Sequence, residues 1–67
     1  MFQKNEFKAE VMRRGLSLED VANELKINPV SLHRKMNGTS DFYRGEIELI
    51  IKLLGLSGDD VIRIFFA

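Results

Sequence analysis

Ser17-Leu-Glu-Asp-Val-Ala-Asn-Glu-Leu-Lys-Ile-Asn-Pro-Val-Ser-Leu-His-Arg-Lys-Met-Asn-Gly38 decides the fold of this chain. It reads as two short helices joined by a tight turn. Ser17 is a good N-cap, and Asp20 three residues on completes an S-x-x-[DE] capping box. Val21, Ala22 and Leu25 then form one apolar helix face. Lys26-Ile27-Asn28 is long enough only for a turn. Asn28 caps the next helix, and Pro29 takes its first position, where a missing N–H costs nothing. Gly38, free to adopt a left-handed conformation, ends that helix after Asn37. Leu32 and Met36 face inward at i, i+4, and Val30, Ser31, His33, Arg34 and Lys35 are expected to face outward. A solvated helix normally interleaves both signs of charge, yet this one carries no acid.

The rest of the chain supplies three more helices. Residues 3–14 form the first, with Phe7 and Val11 on its apolar face. Lys4, Glu6, Lys8 and Glu10 are expected on the water side, with Gly15 as the stop and Leu16 folding back. Arg13 and Arg14 in its last turn suit the helix dipole or a phosphate. After Gly38 comes a loop in which Phe42 is expected to plug into the core. Tyr43 and Arg44 lie beside the basic end, where a phenol and a guanidinium are frequent phosphate partners but also ordinary surface groups. The fourth helix runs from about Arg44 to Leu54 with Ile47, Ile50, Ile51 and Leu54 as its stripe. Leu49 and Leu53 widen the stripe, making this the most buried segment expected. Gly55 ends it. Ser57 and Asp60 repeat the capping box and start a last helix from about Gly58 to Phe66. Its residues Val61, Ile62, Ile64, Phe65 and Phe66 are more apolar surface than one face uses. Either they cap the core, or Ile62, Phe65 and Phe66 pack against a second copy.

Composition narrows the function. Sixty-seven residues make one domain, 1–67, near the lower limit for folding without staples. The absence of cysteine rules out disulfides and thiolate metal sites and suits a cytoplasmic protein. No apolar run approaches the ~18 residues of a membrane span, and Met1-Phe2-Gln3-Lys4 is not the start of a signal peptide. Ten bases balance ten acids. Residues 26–45, however, hold Lys26, Arg34, Lys35 and Arg44 against Asp41 alone, a surplus of three that the remainder offsets. A neutral chain with one basic end can still bind phosphate. Catalysis lacks its parts. His33 is the only histidine, Ser31 two positions away points elsewhere on the helix, and the paired acids are explained by helix starts. No cofactor, metal or small-molecule substrate is expected.

The stretch from Ser17 to Gly38 resembles the helix-turn-helix of the phage repressor and Cro family, also called the xenobiotic-response-element-like family. Ala22, Ile27, Leu32 and Asn37-Gly38 carry the likeness within the motif. Ser40-Asp41-Phe42, Glu46, Ile47, Ile50 and Leu54 extend it, so that it spans roughly Asn5 to Phe66. Lys26 departs from the pattern, standing where many members have glycine. A side chain there is expected to take positive φ, at a cost on the order of 1 kcal/mol. Lys35 departs too, where an apolar residue is common. The resemblance implies an all-α, five-helix domain that binds double-stranded operator DNA as a transcriptional regulator in a bacterial or phage-infected cell. By position, Pro29, Val30, Ser31 and Arg34 match the places from which members reach base edges. Arg34 suits guanine, Val30 suits a thymine methyl, and Ser31 discriminates poorly. Lys26, Lys35, Asn37, Tyr43 and Arg44 are the expected phosphate contacts. A chain this short leaves no room for a ligand-sensing domain, so repression by operator occupancy as a homodimer is expected. The chain reads equally as the N-terminal domain of a longer repressor. The reading from another class is a small protein-interaction module, antitoxin-like or adaptor, that uses the apolar C-terminal surface.

Overall fold

The computed structural model describes all 67 residues, Met1–Ala67, as an all-helical bundle. Its helices are α1 (Lys4–Arg13), α2 (Leu18–Leu25), α3 (Pro29–Met36), α4 (Arg44–Leu54) and α5 (Gly58–Val61). The fifth continues as a π-helical turn over Ile62–Phe66. The architecture is thus the five-helix arrangement expected from the sequence.

Local chemistry sets the boundaries. The Ser17 hydroxyl accepts from the Asp20 N–H, and the Asp20 carboxylate accepts from the Ser17 N–H. Ser57 and Asp60 repeat the exchange at the start of α5. At the C-terminal ends, α1, α2 and α3 close with one pattern. A residue in left-handed conformation follows each helix, and the next N–H reaches back five residues to an orphan carbonyl. Those bonds run from Leu16 to Val11, Ile27 to Ala22 and Thr39 to Arg34, at 3.0, 3.0 and 2.9 Å. The left-handed residue is glycine at 15 and 38 but Lys26 at the second stop, with φ +58°. The strain expected at that lysine is present.

Twelve buried apolar residues form one core, centred on Phe7, Val11, Val21, Leu32, Ile50, Leu54 and Ile64. Ile47 and Ile51 pack against it, half-buried. An aromatic seam closes one end. Phe42 lies 5.0 Å from Phe2 and 5.9 Å from Phe65 between ring centroids, and Phe2 lies 5.3 Å from Phe7. The same end joins the chain termini. The Gln3 N–H donates to the Ile64 carbonyl at 2.7 Å, and the Met1 ammonium to the Ala67 carbonyl at 3.1 Å.

Four expectations need correction. Glu10 is not on the water side: it is 3% exposed. The C-terminal turn lies across that flank of α1 and brings Arg63 to it, while Arg13 and Arg14 pair with the same carboxylate from one turn on. Lys35 does not face outward and is 7% exposed, because α4 and the loop before it cover that flank of α3. Phe65 is a core residue, held in the aromatic seam, and only Ile62 and Phe66 of the three expected contact residues stay exposed. Leu49, finally, is 45% exposed, so α4 is less uniformly buried than its composition implies.

Candidate functional site

The α2–α3 corner presents the side chains that the sequence singled out. Ala22 is fully buried at the middle of α2, and its small side chain lets the following helix cross closely. The turn Lys26–Asn28 contains only the left-handed residue, its apolar follower Ile27 and the cap. The Asn28 side-chain carbonyl accepts from the Ser31 N–H at 2.8 Å, and Pro29 begins α3. Leu32 and Met36 then point into the core. Pro29, Val30, His33 and Arg34 are left on the exposed side, with Ser31 half-buried at its edge. The helix therefore offers water an apolar start and a basic end, with no acid among its eight residues.

The segment after α3 is anchored rather than free. Two consecutive N–H groups, of Thr39 and Ser40, donate to the Arg34 carbonyl at 2.9 and 3.2 Å. Phe42 fixes the middle of the loop through the aromatic seam. Glu46 in the first turn of α4 accepts from the Tyr43 N–H at 2.8 Å. This holds Tyr43 and Arg44 at the helix start with both side chains in solvent: 71% exposed for the tyrosine and 93% for the arginine side chain.

The expected phosphate contacts fall into two groups. Lys26, Asn37, Tyr43 and Arg44 are all exposed. Asn37 also brings in a cation that local reading of the sequence misses, since its side-chain oxygen accepts from the Lys4 ammonium at 3.1 Å. Thirty-three positions separate the two, and no periodicity signals the contact. Lys35 stands apart from this group. Its ammonium lies 3.0 Å from the Glu46 carboxylate, donates to the Asp41 carbonyl at 3.0 Å and sits 4.1 Å from the centre of the Tyr43 ring. With its hydrogen bonds used inside the protein, it is not an exposed charge.

Charge elsewhere has structural uses. Arg63 pairs with Glu6, Glu10 and Asp60, pinning the C-terminal turn to α1. The Ser57 N–H, and then the Arg63 guanidinium, hold the Asp60 carboxyl down at about 2, below its usual 3.8. Arg63 is shifted upward in turn, chiefly by its hydrogen bond to Asp60. No group of three or more His, Asp or Glu side chains is placed to hold a metal ion. No helix is long and apolar enough to cross a membrane.

In sequence comparison, residues 6–63 match the family model described as a helix-turn-helix domain. No curated protein and no solved structure matches the chain.

Proposed function

The chain belongs to the helix-turn-helix domain family, and from that membership we propose that it is a sequence-specific DNA-binding transcriptional regulator of the phage repressor and Cro type. The observation that carries this reading is the outward surface of α3: Pro29, Val30, His33 and Arg34 stand exposed on a helix without an acid. In such motifs the N-terminal part of the second helix enters the major groove while the first crosses the backbone. Pro29, Val30, Ser31 and Arg34 then meet base edges. Arg34, able to bond guanine O6 and N7 together, supplies most of the discrimination. Lys26, Asn37, Tyr43 and Arg44 take phosphates, which fix register without reading sequence.

A single module buries about 600–1,000 Å² of protein on DNA, so the working unit in this proposal is a homodimer of the 1–67 domain on a palindromic operator. Half-sites lie about one helical turn apart. The exposed Ile62 and Phe66 serve as the contact between copies. Occupying the operator represses transcription.

Selection from random duplex DNA, followed by anisotropy titration of the selected sequences at several salt concentrations, tests the proposal. The expected result is a palindromic consensus bound with a steep salt dependence, losing about 0.9 in log–log slope for each phosphate contact removed. Arg34→Ala is expected to weaken binding by roughly 5- to 150-fold, the equivalent of about 1–3 kcal/mol. Recovery of no consensus, with only weak binding at low salt, refutes the proposal. An interaction module that uses the exposed Ile62 and Phe66 then becomes the better account.

A further inference from the structure

Lys35 is the one cation of the α3 surface sequence that the fold takes out of water. Removing an ammonium from water is unfavourable unless it is paired, and an apolar side chain would fill the same space without that penalty. The lysine therefore contributes something other than packing. Its three partners all belong to one short segment, the Asp41 carbonyl, the Tyr43 ring and the Glu46 carboxylate. Glu46 passes the connection on by accepting the Tyr43 N–H. The preceding residue, Arg34, holds the near end of the same segment, through the N–H groups of Thr39 and Ser40 on its carbonyl. The segment 39–46 is thus fastened at both ends to two consecutive residues of α3.

We propose that Lys35 is a positioning residue for DNA recognition. By clamping Asp41, Tyr43 and Glu46, it fixes the phosphate-contacting pair Tyr43–Arg44 at a set offset from the base-reading face of α3. The inference rests on the DNA-binding reading above. Contacts to the backbone and to the bases then come from one rigid unit, and Arg34 meets its base in the register that Tyr43 and Arg44 set. A bare phosphate contact by Lys35 makes the opposite forecast for Glu46. Deleting that acid would free the ammonium and remove a negative charge from near the DNA, so binding would tighten.

The test compares the full chain with Lys35→Met/Glu46→Gln on the selected operator, each with and without Arg44→Ala, by anisotropy over a salt series and by thermal melting. Replacing both members of a buried ion pair is commonly neutral or stabilising, and glutamine still accepts the Tyr43 N–H. The double variant is therefore expected to stay folded while binding at least ~10-fold more weakly, a loss of about 1.4 kcal/mol. Arg44→Ala should flatten the wild-type salt slope by about 0.9 and leave that of the double variant unchanged. A folding defect alone does not produce that second pattern. Equal affinity for wild type and double variant, or an Arg44→Ala effect that is the same in both or absent from wild type, overturns the inference while the DNA-binding reading stands. Failure of the wild type to select any operator overturns both. If the double variant does not fold, Glu46→Gln alone decides: weaker binding supports the positioning role, and unchanged or tighter binding refutes it.

Discussion

Lys26→Gly is expected to make the protein more stable and, at the same time, a weaker DNA binder. Lys26 ends α2 at φ +58°, ψ +39°, a left-handed conformation that costs a residue with a Cβ roughly 1–2 kcal/mol. Glycine removes that strain but gives the unfolded chain more freedom, offsetting about 0.4–1 kcal/mol of the gain. The net stabilisation is therefore about 0.5–1 kcal/mol. A domain this small converts each kcal/mol into about 4–8 °C of melting temperature, so a rise of roughly 2–8 °C should appear in thermal and urea denaturation. Lys26→Ala is the control. It removes the ammonium and keeps the Cβ, so it should bring no comparable stabilisation. On operator DNA both variants should lose about 0.9 from the salt slope, the signature of one phosphate contact. If glycine and alanine melt at the same temperature, the reasoning from backbone strain is wrong, whatever happens on DNA.

Three further outcomes are expected. Glu10→Ala should cost about 2–3 kcal/mol in urea denaturation, because a buried carboxylate with Arg13, Arg14 and Arg63 around it loses charge-assisted bonds; a cost below ~0.5 kcal/mol would return Glu10 to the class of ordinary surface residues. The Asp60 carboxyl titrates lower folded, at about 2, than its usual 3.8. Its stabilising contribution is therefore complete above that usual value and disappears as pH falls through about 2. The melting-temperature gap between wild type and Asp60→Asn should accordingly be widest near neutral pH and close on acidification, and a gap independent of pH contradicts the assignment. Ile62→Glu/Phe66→Glu should leave the melting temperature nearly unchanged, since both side chains are exposed, while sedimentation on and off operator DNA shows the loss of a dimer. A dimer that survives the double change places the contact between copies elsewhere.

Features that depend on a few neighbouring residues were legible from the chain alone. Both serine capping boxes, Pro29 at the start of α3, the three glycine stops and the strained lysine are local chemistry, and each is present in the structure. The corner residues Ala22, Leu32 and Met36 are buried as their spacing implies. The misread residues share a different property. Glu10 and Lys35 are polar residues on the flank of an apolar stripe, and whether such a flank meets water depends on what packs over it. Arg63 reaches Glu10 from 53 positions away, and Glu46 reaches Lys35 from another helix. Helical periodicity carries no information about either partner. Phe2 is equally invisible to periodicity: it stands before the first helix, outside any periodic pattern, yet touches Phe7, Phe42 and Phe65. Phe65 and Phe66 are adjacent and alike in composition, so which of them turns inward is decided by the course of the π-helical turn.

The aromatic seam has a kinetic consequence. Stops that reach back five residues can form while the rest of the chain is still open, and closing the α2–α3 corner involves only a short loop. Phe2 and Phe65, by contrast, meet across nearly the whole chain, and the entropy lost in closing a loop grows with its length. The two ends are therefore the natural last step of folding and the first to part on the way back. Amide hydrogens at Gln3 should then exchange ahead of those in α2 and α3, so that the helix-turn-helix corner outlives the seam that joins the chain's two ends.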